Sequence, residues 1–198
     1  MQIDIIQHEP PYRVGVFIGS LASDSINRQL ARALERLAPP EFSLQEIVYR
    51  ELPLYSRDYD PDYPQVARDF KASIQASDAL LFVTPECNRS VPGPLKNAID
   101  WASRPWGQNA LTGRPSAVIG ASPGALGTAV AQQSLRSILS FCNAPQMNAP
   151  EAYIHMTPGL IGPDGEVTVE STEEFLRTFM QRFLEFTTRV LTVLPRPD

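Results

Sequence analysis

Apolar positions in this 198-residue chain fall into short blocks of two kinds that alternate along its length. Tyr12–Ile18 (YRVGVFI), Ala79–Thr84 and Arg114–Ala121 (RPSAVIGA) are apolar over most of their length, as in strands covered on both faces. Phe42–Tyr49 alternates apolar and polar and reads as a further strand, and a short fifth lies at Ala152–His155. Between these blocks the spacing changes to that of a helix face. Ile26, Leu30, Leu34 and Leu37 define one helix, which Pro39-Pro40 ends. Val66, Phe70 and Ile74 mark a second, Leu95–Trp101 a third, and Leu135, Ile138, Leu139 and Cys142 a fourth. A long helix over 171–193 carries a wide apolar face (Phe175, Leu176, Phe179, Met180, Phe183, Leu184, Val190, Leu191), which should pack on the parent sheet. Ser171 and Glu174 have the spacing of a capping box at its start. Residues 1–11 read as an irregular lead-in, and 52–64 as a long loop that Tyr55, Tyr59 and Tyr63 pack down.

Strands alternating with helices imply a parallel sheet with right-handed crossovers. Five such units predict an α/β fold, a flavodoxin-like three-layer sandwich with a five-stranded parallel sheet, built as a single domain over 1–198. The 43% of hydrophobic residues suits a packed core of this size. A net charge of −5 without a basic run argues against nucleic acid or an anionic membrane as partner. No apolar run reaches the length of a membrane span, and Asp4, His8 and Glu9 make the first residues unlike a signal peptide. Cys87 and Cys142 are too few for a disulfide framework. A cytoplasmic protein is therefore expected. His8 and His155 lack companions at ligand spacing, so no metal is expected.

Three Gly-, Ser- or Pro-rich turns follow the first, third and fourth strands, and in a parallel sheet they share one rim. The first, from Gly19 to Asn27, opens a helix. The free N–H groups and partial positive charge at a helix N-terminus can hold a phosphate, and the serines add donors without adding charge. The same loop also reads as an ordinary cap by Ser23, Asp24 or Ser25. It is neither a Walker A nor a G-x-G-x-x-G sequence, and a monophosphate suits it better than a pyrophosphate. The second turn is Pro85-Glu86-Cys87-Asn88-Arg89-Ser90-Val91-Pro92-Gly93, whose fixed backbone donors and acceptors suit a flat polar ring. The third runs from Ala121 to Gly127.

Gly19-Ser20…Ser25-x-Asn27-Arg28, followed by Thr84-Pro85-Glu86-x-Asn88-x-Ser90-Val91-Pro92-Gly93-x-Leu95-Lys96-Asn97-Ala98-Ile99-Asp100-Trp101, resembles the NADPH-dependent FMN reductase family, which includes chromate- and quinone-reducing enzymes. The likeness runs from about Tyr12 to His155. The resemblance implies FMN as cofactor, NADPH or NADH as co-substrate, and a homodimer or homotetramer with the flavin near a subunit boundary. It places Ser20, Ser25 and Asn27, with Ile26 among them, at positions that hold the FMN phosphate. Pro85, Glu86, Cys87 and Asn88 match the segment that touches the isoalloxazine ring, and Ser122 and Gly124 match the third flavin loop. The chain departs from the family at Ala22, where Arg is common, and at Cys87, where Tyr is usual. The smaller Cys87 should open space beside the ring.

The expected activity is hydride transfer from NAD(P)H to bound FMN and then to a small-molecule electron acceptor: a quinone, or chromate, an azo compound or free flavin. No protein catalytic residue is expected, because the flavin carries the chemistry. A non-enzymatic FMN-binding electron carrier is the alternative. A serine hydrolase is a third reading, because Gly120-Ala121-Ser122-Pro123-Gly124 matches G-x-S-x-G. Pro123 argues against it, since the residue after the nucleophile must supply an oxyanion N–H.

Overall fold

The computed structural model describes residues 9–194. The elements run β1 (Tyr12–Ile18), α1 (Ile26–Leu37), β2 (Phe42–Glu46), α2 (Gln65–Gln75), β3 (Ala79–Val83), α3 (Gly93–Ala102), β4 (Ser116–Ser122), α4 (Ala129–Phe141), β5 (Tyr153–His155) and α5 (Glu170–Val193). All five strands are parallel in one sheet of order β2-β1-β3-β4-β5. This is the doubly wound flavodoxin-like order, whose direction of winding reverses between β1 and β3.

The three central strands, β1, β3 and β4, divide their side chains between two apolar layers, as the two-residue repeat of a strand requires. In β3, Leu81 and Val83 face the layer built on α1 and α5, with Leu30, Leu34, Phe179 and Phe183. Leu80 and Phe82 face the opposite layer, with Phe70, Ile74, Leu95, Trp101 and Leu135. Phe17 stacks on Phe82 with ring centroids 4.7 Å apart. The apolar face of α5 lies buried in the first layer, as its spacing predicts.

The elements differ from expectation mainly at their ends. β2 stops at Glu46, because Ile47 makes the last ladder bond to Val16 and Val48 turns out to solvent. β4 starts at Ser116 and not at Arg114. Arg114 is buried and donates to the carbonyls of Ile74, Gln75 and Ser77 at the end of α2, and Pro115 has no N–H to give to a ladder. The Ser171–Glu174 capping box does not form. The helix begins at Glu170 after Val169, so Ser171 already has helical backbone, and no side chain caps the end. In the 52–64 loop, Tyr55, Tyr59 and Tyr63 surround Trp101 at centroid distances of 5.2, 5.2 and 5.0 Å. Trp101 Nε1 donates to the Pro53 carbonyl at 2.7 Å, so these rings pack the loop against α3. The expected lead-in over residues 1–11 falls largely outside the described residues.

Candidate functional site

The carboxyl ends of β1, β3 and β4 converge on Thr84, which is fully buried. Gly19 donates to the Val83 carbonyl at 2.8 Å, and Thr84 donates to that of Ile119 at 2.9 Å. The approach is close enough to require glycine at Gly120. A Cβ there would lie 2.1 Å from the Thr84 carbonyl oxygen and 2.3 Å from Thr128 Oγ1.

Two side chains tie the three loops to one another. Asn27 is buried at the start of α1, and its amide reaches β4: Nδ2 donates to the Ala121 carbonyl and Oδ1 accepts from the Ala121 N–H, both at 2.9 Å. Glu86 crosses from the second loop to α4. Its Oε2 accepts from the N–H groups of Val130 and Ala131 at 3.1 Å each, so the carboxylate caps that helix where the dipole favours an anion. Its Oε1 accepts from Arg89 Nη1 at 3.2 Å.

Between the loops lie two adjoining cavities that share Glu86 and Ser122. One, of ≈ 200 Å³, is lined by Ser20, Ser25, Ile26, Asn27, Pro85, Ala121 and Pro123 together with the shared pair. The other, of ≈ 330 Å³, adds Asn88, Arg89, Gly124, Ala125, Leu126 and Gly127. Nine of the ten residues singled out from the sequence line this cleft. The tenth, Cys87, lines neither cavity. It is exposed and opens a tight turn in which Cys87 and Ser90 exchange backbone hydrogen bonds of 3.0 and 2.9 Å. Asn88 and Arg89 hold the turn at φ 50° and 62°.

Three serine hydroxyls on the cleft wall are held alike. Ser25 Oγ accepts from the Arg28 N–H at 3.3 Å and caps α1. Ser20 Oγ accepts from Ala22 at 3.3 Å, and Ser122 Oγ from Gly124 at 3.1 Å. A hydroxyl that accepts from its own backbone is fixed in direction and still has a proton to donate. The first N–H groups of α1, on Ile26 and Asn27, have no partner within the helix. The smaller cavity thus collects hydrogen-bond donors with no Lys or Arg among the described residues of its lining.

Asn27 departs from its expected role. One Nδ2 hydrogen and Oδ1 are committed to Ala121, so the side chain shapes the smaller cavity, with its second Nδ2 hydrogen and its backbone N–H left over. The carboxylate of Glu86 is likewise engaged by α4 and Arg89. Asp24 is exposed and outside the cleft lining. Arg28 turns away, with Nη1 and Nη2 at 2.7 and 2.9 Å from the Glu46 carboxylate. Sequence reasoning missed Arg89 as a wall residue, because nothing in the spacing shows where a residue at positive φ directs its side chain.

The geometry does not serve acyl chemistry. His155 Nε2 lies 3.1 Å from the Pro123 carbonyl, and Ser122 Oγ is held by Gly124. No group of three or more His, Cys, Asp or Glu that could hold a metal occurs among the described residues, and His8 lies outside them.

A family model for NADPH-dependent FMN reductases matches residues 12–159. The chain belongs to this family. As an FMN reductase it is an enzyme that uses FMN with NAD(P)H as co-substrate. It is 51% identical over 171 residues to a 2-hydroxy-1,4-benzoquinone reductase of Burkholderia sp, covering 86% of this chain and 93% of that protein. It is 46% identical over 173 residues to a quinone reductase of Pseudomonas putida, with 87% and 92% covered. The solved structure of FerB, a flavoenzyme NAD(P)H:(acceptor) oxidoreductase from Paracoccus denitrificans, matches with a TM-score of 0.86 at 42% identity, over 90% of this reductase and 98% of that chain.

Proposed function

We propose that the cleft binds FMN with its phosphate in the smaller cavity and its ring at the larger one, and that two electrons pass from NADPH or NADH, by way of the flavin, to a quinone. The convergence of three self-oriented serine hydroxyls and the N-terminus of α1 on one cavity carries this reading. Ser20, Ser25 and the backbone N–H groups of Ile26 and Asn27 would hold the phosphate. Pro85, Glu86 and Asn88 would frame the ring from one side, with the backbone of Cys87 in the turn behind them, and Ser122 and Gly124 from the other. When bound, FMN supplies the hydride and electron chemistry. The residues of the chain bind, orient and shield it, and the two N–H groups at the start of α4 offset the charge of Glu86 at the cleft.

Quinones are the acceptor class favoured by the names of the Burkholderia and Pseudomonas relatives. Hydroxylated benzoquinones are included by the first of these. Assembly into a homodimer or homotetramer is supported by exposed apolar side chains on the 52–64 loop and after α3, with Leu54 84% and Trp106 74% exposed. Cys87 and Cys142 are both free thiols, in keeping with a cytoplasmic protein.

The deciding experiment is spectroscopic. FMN added to the purified protein should give a bound flavin spectrum that bleaches with NADPH in the absence of oxygen and recovers on addition of 1,4-benzoquinone. Steady oxidation of NADPH with catalytic amounts of protein separates an enzyme from an electron carrier. A protein that takes up no FMN overturns the reading.

A further inference from the structure

Among the described residues, Glu86 and Arg89 are the only charged ones on the walls of the two cavities. Glu86 is engaged through both oxygens: one accepts two N–H groups of α4, and the other accepts one N–H of Arg89. Arg89 is not. A guanidinium offers five N–H donors in a planar fork, and the structure commits Nη1 of this one to Glu86 at 3.2 Å. Its side chain is 68% exposed at the rim of the ring-side cavity. The backbone of Arg89 also sits at φ 62°, in a turn where Gly or Asn is the usual occupant. Left-handed backbone costs an ordinary residue about 1–2 kcal/mol, and such a cost points to function when the side chain it delivers borders a site.

We propose that Arg89 is a specificity-determining residue that selects quinones carrying an ionised ring hydroxyl. The proposal rests on the flavin-site reading, which places the electron acceptor at the ring-side cavity. A hydroxyl on the double bond of a 1,4-benzoquinone is a vinylogous carboxylic acid and is ionised at neutral pH. Its charge spreads over the hydroxyl oxygen and the conjugated carbonyl, an acceptor that the guanidinium fork can meet with a charge-assisted hydrogen bond. The anion is by itself a poor hydride acceptor, and a cation against it offsets that defect. One hydride from NAD(P)H and two protons from water convert the hydroxyquinone anion to the neutral trihydroxybenzene, with NAD(P)⁺ released. The product has lost the charge that held it, which favours its departure. The 2′-phosphate of NADPH is a second anion that this arginine could meet, and the experiment separates the two.

The test uses the FMN-loaded protein and its Arg89→Gln variant, with 2-hydroxy-1,4-benzoquinone and 1,4-benzoquinone as acceptors, each with NADPH and with NADH. Losing one hydrogen bond to a charged group should lower kcat/KM for the hydroxyquinone about 10–100-fold. The value for the parent quinone and the NADPH/NADH ratio should stay within about threefold, the span of a loss below one such bond. Arg89→Lys should restore most of the activity, and the difference between wild type and Arg89→Gln should vanish at a pH low enough to protonate the hydroxyl. Equal losses on both quinones would assign Arg89 to the turn's structure, and a loss confined to NADPH would assign it to the nucleotide. A difference that persists on the protonated quinone would also overturn the proposal. A wild-type protein that binds no FMN, or does not reduce 1,4-benzoquinone, would instead remove the underlying flavin-site reading.

Discussion

Asn27 and Ala121 exchange two hydrogen bonds of 2.9 Å each across 94 positions of sequence. The amide of Asn27 satisfies both backbone groups of a residue that is itself buried. It therefore fixes the distance between the loop after β1 and the end of β4. Asn27→Ala leaves the Ala121 N–H and carbonyl unpaired and should cost about 1–3 kcal/mol, the usual penalty for a buried polar group that loses its partner. Asn27→Asp keeps the acceptor but sets an oxygen against the Ala121 carbonyl, so it should be no better than alanine. Denaturant unfolding measures the loss of stability, and FMN titration should show weaker binding once the two loops are no longer tied together. Unchanged stability in both variants would remove the clamp.

Ser25 has two duties that one pair of substitutions can separate. It caps α1 through its hydroxyl oxygen, and it lines the smaller cavity, where the phosphate is proposed to sit. Ser25→Ala loses both and should destabilise the protein by about 1 kcal/mol, as the loss of an N-cap does. Ser25→Asp remains a good cap, so stability should be kept. Its carboxylate would face the phosphate, and FMN affinity should fall below that of Ser25→Ala. Asp binding FMN better than Ala would place the phosphate elsewhere. The companion substitution Ser20→Ala should weaken FMN without a comparable change in stability, because Ser20 caps no helix.

Much of this site could be read in the sequence, because chain-local rules place its backbone. β1 runs from Tyr12 to Ile18 as its apolar block predicts, and the turn after β3 lies at the rim where a parallel sheet must put it. Side chains that act across the sequence were not legible. Asn27 reads as a ligand donor until its distance to Ala121 is known. Glu86 reads as part of a ring-binding loop, whereas its carboxylate caps α4, 44 positions away. The capping box at Ser171 failed for a simpler reason. A one-residue shift in where a helix begins turns a cap into an interior position, and sequence signals do not fix ends to one residue.

The Glu86 cap has its own consequence. Glu86→Gln keeps an oxygen for the Val130 and Ala131 N–H groups and loses the charge, whereas Glu86→Ala leaves those donors without a side-chain acceptor. Alanine should lower stability by about 1–2 kcal/mol and glutamine by less, since a cap contributes more than the dipole interaction alone. Both variants should loosen the second loop relative to the third, seen as faster FMN dissociation, with the larger effect in alanine. Equal unfolding free energies for wild type and Glu86→Ala would show that the contact contributes nothing.

Tyr49 ties the segment after β2 to the end of β1 and makes the fold sensitive to alkali. It is 6% exposed, and its hydroxyl donates at 2.6 Å to the carbonyl of Ile18, the last residue of β1. Burial pushes its phenol far above the ordinary value of 10.0, and the nearby charge of Glu46 pushes the same way. A pKa raised in the folded state stabilises only while the unfolded chain is also protonated. Below about pH 10 both states are neutral at Tyr49, and its contribution is constant. Above that pH the unfolded chain releases the phenolic proton while the folded one keeps it, so stability falls by about 1.4 kcal/mol per pH unit until the raised pKa is passed. Denaturant midpoints measured from pH 8 to 11 should therefore be level at first and then decline. Tyr49→Phe should reduce that decline, and at pH 8 it should cost about 1 kcal/mol for the lost bond to Ile18. An alkaline slope equal in the two proteins would mean that Tyr49 ionises in place, and that the exit of β1 is held without it.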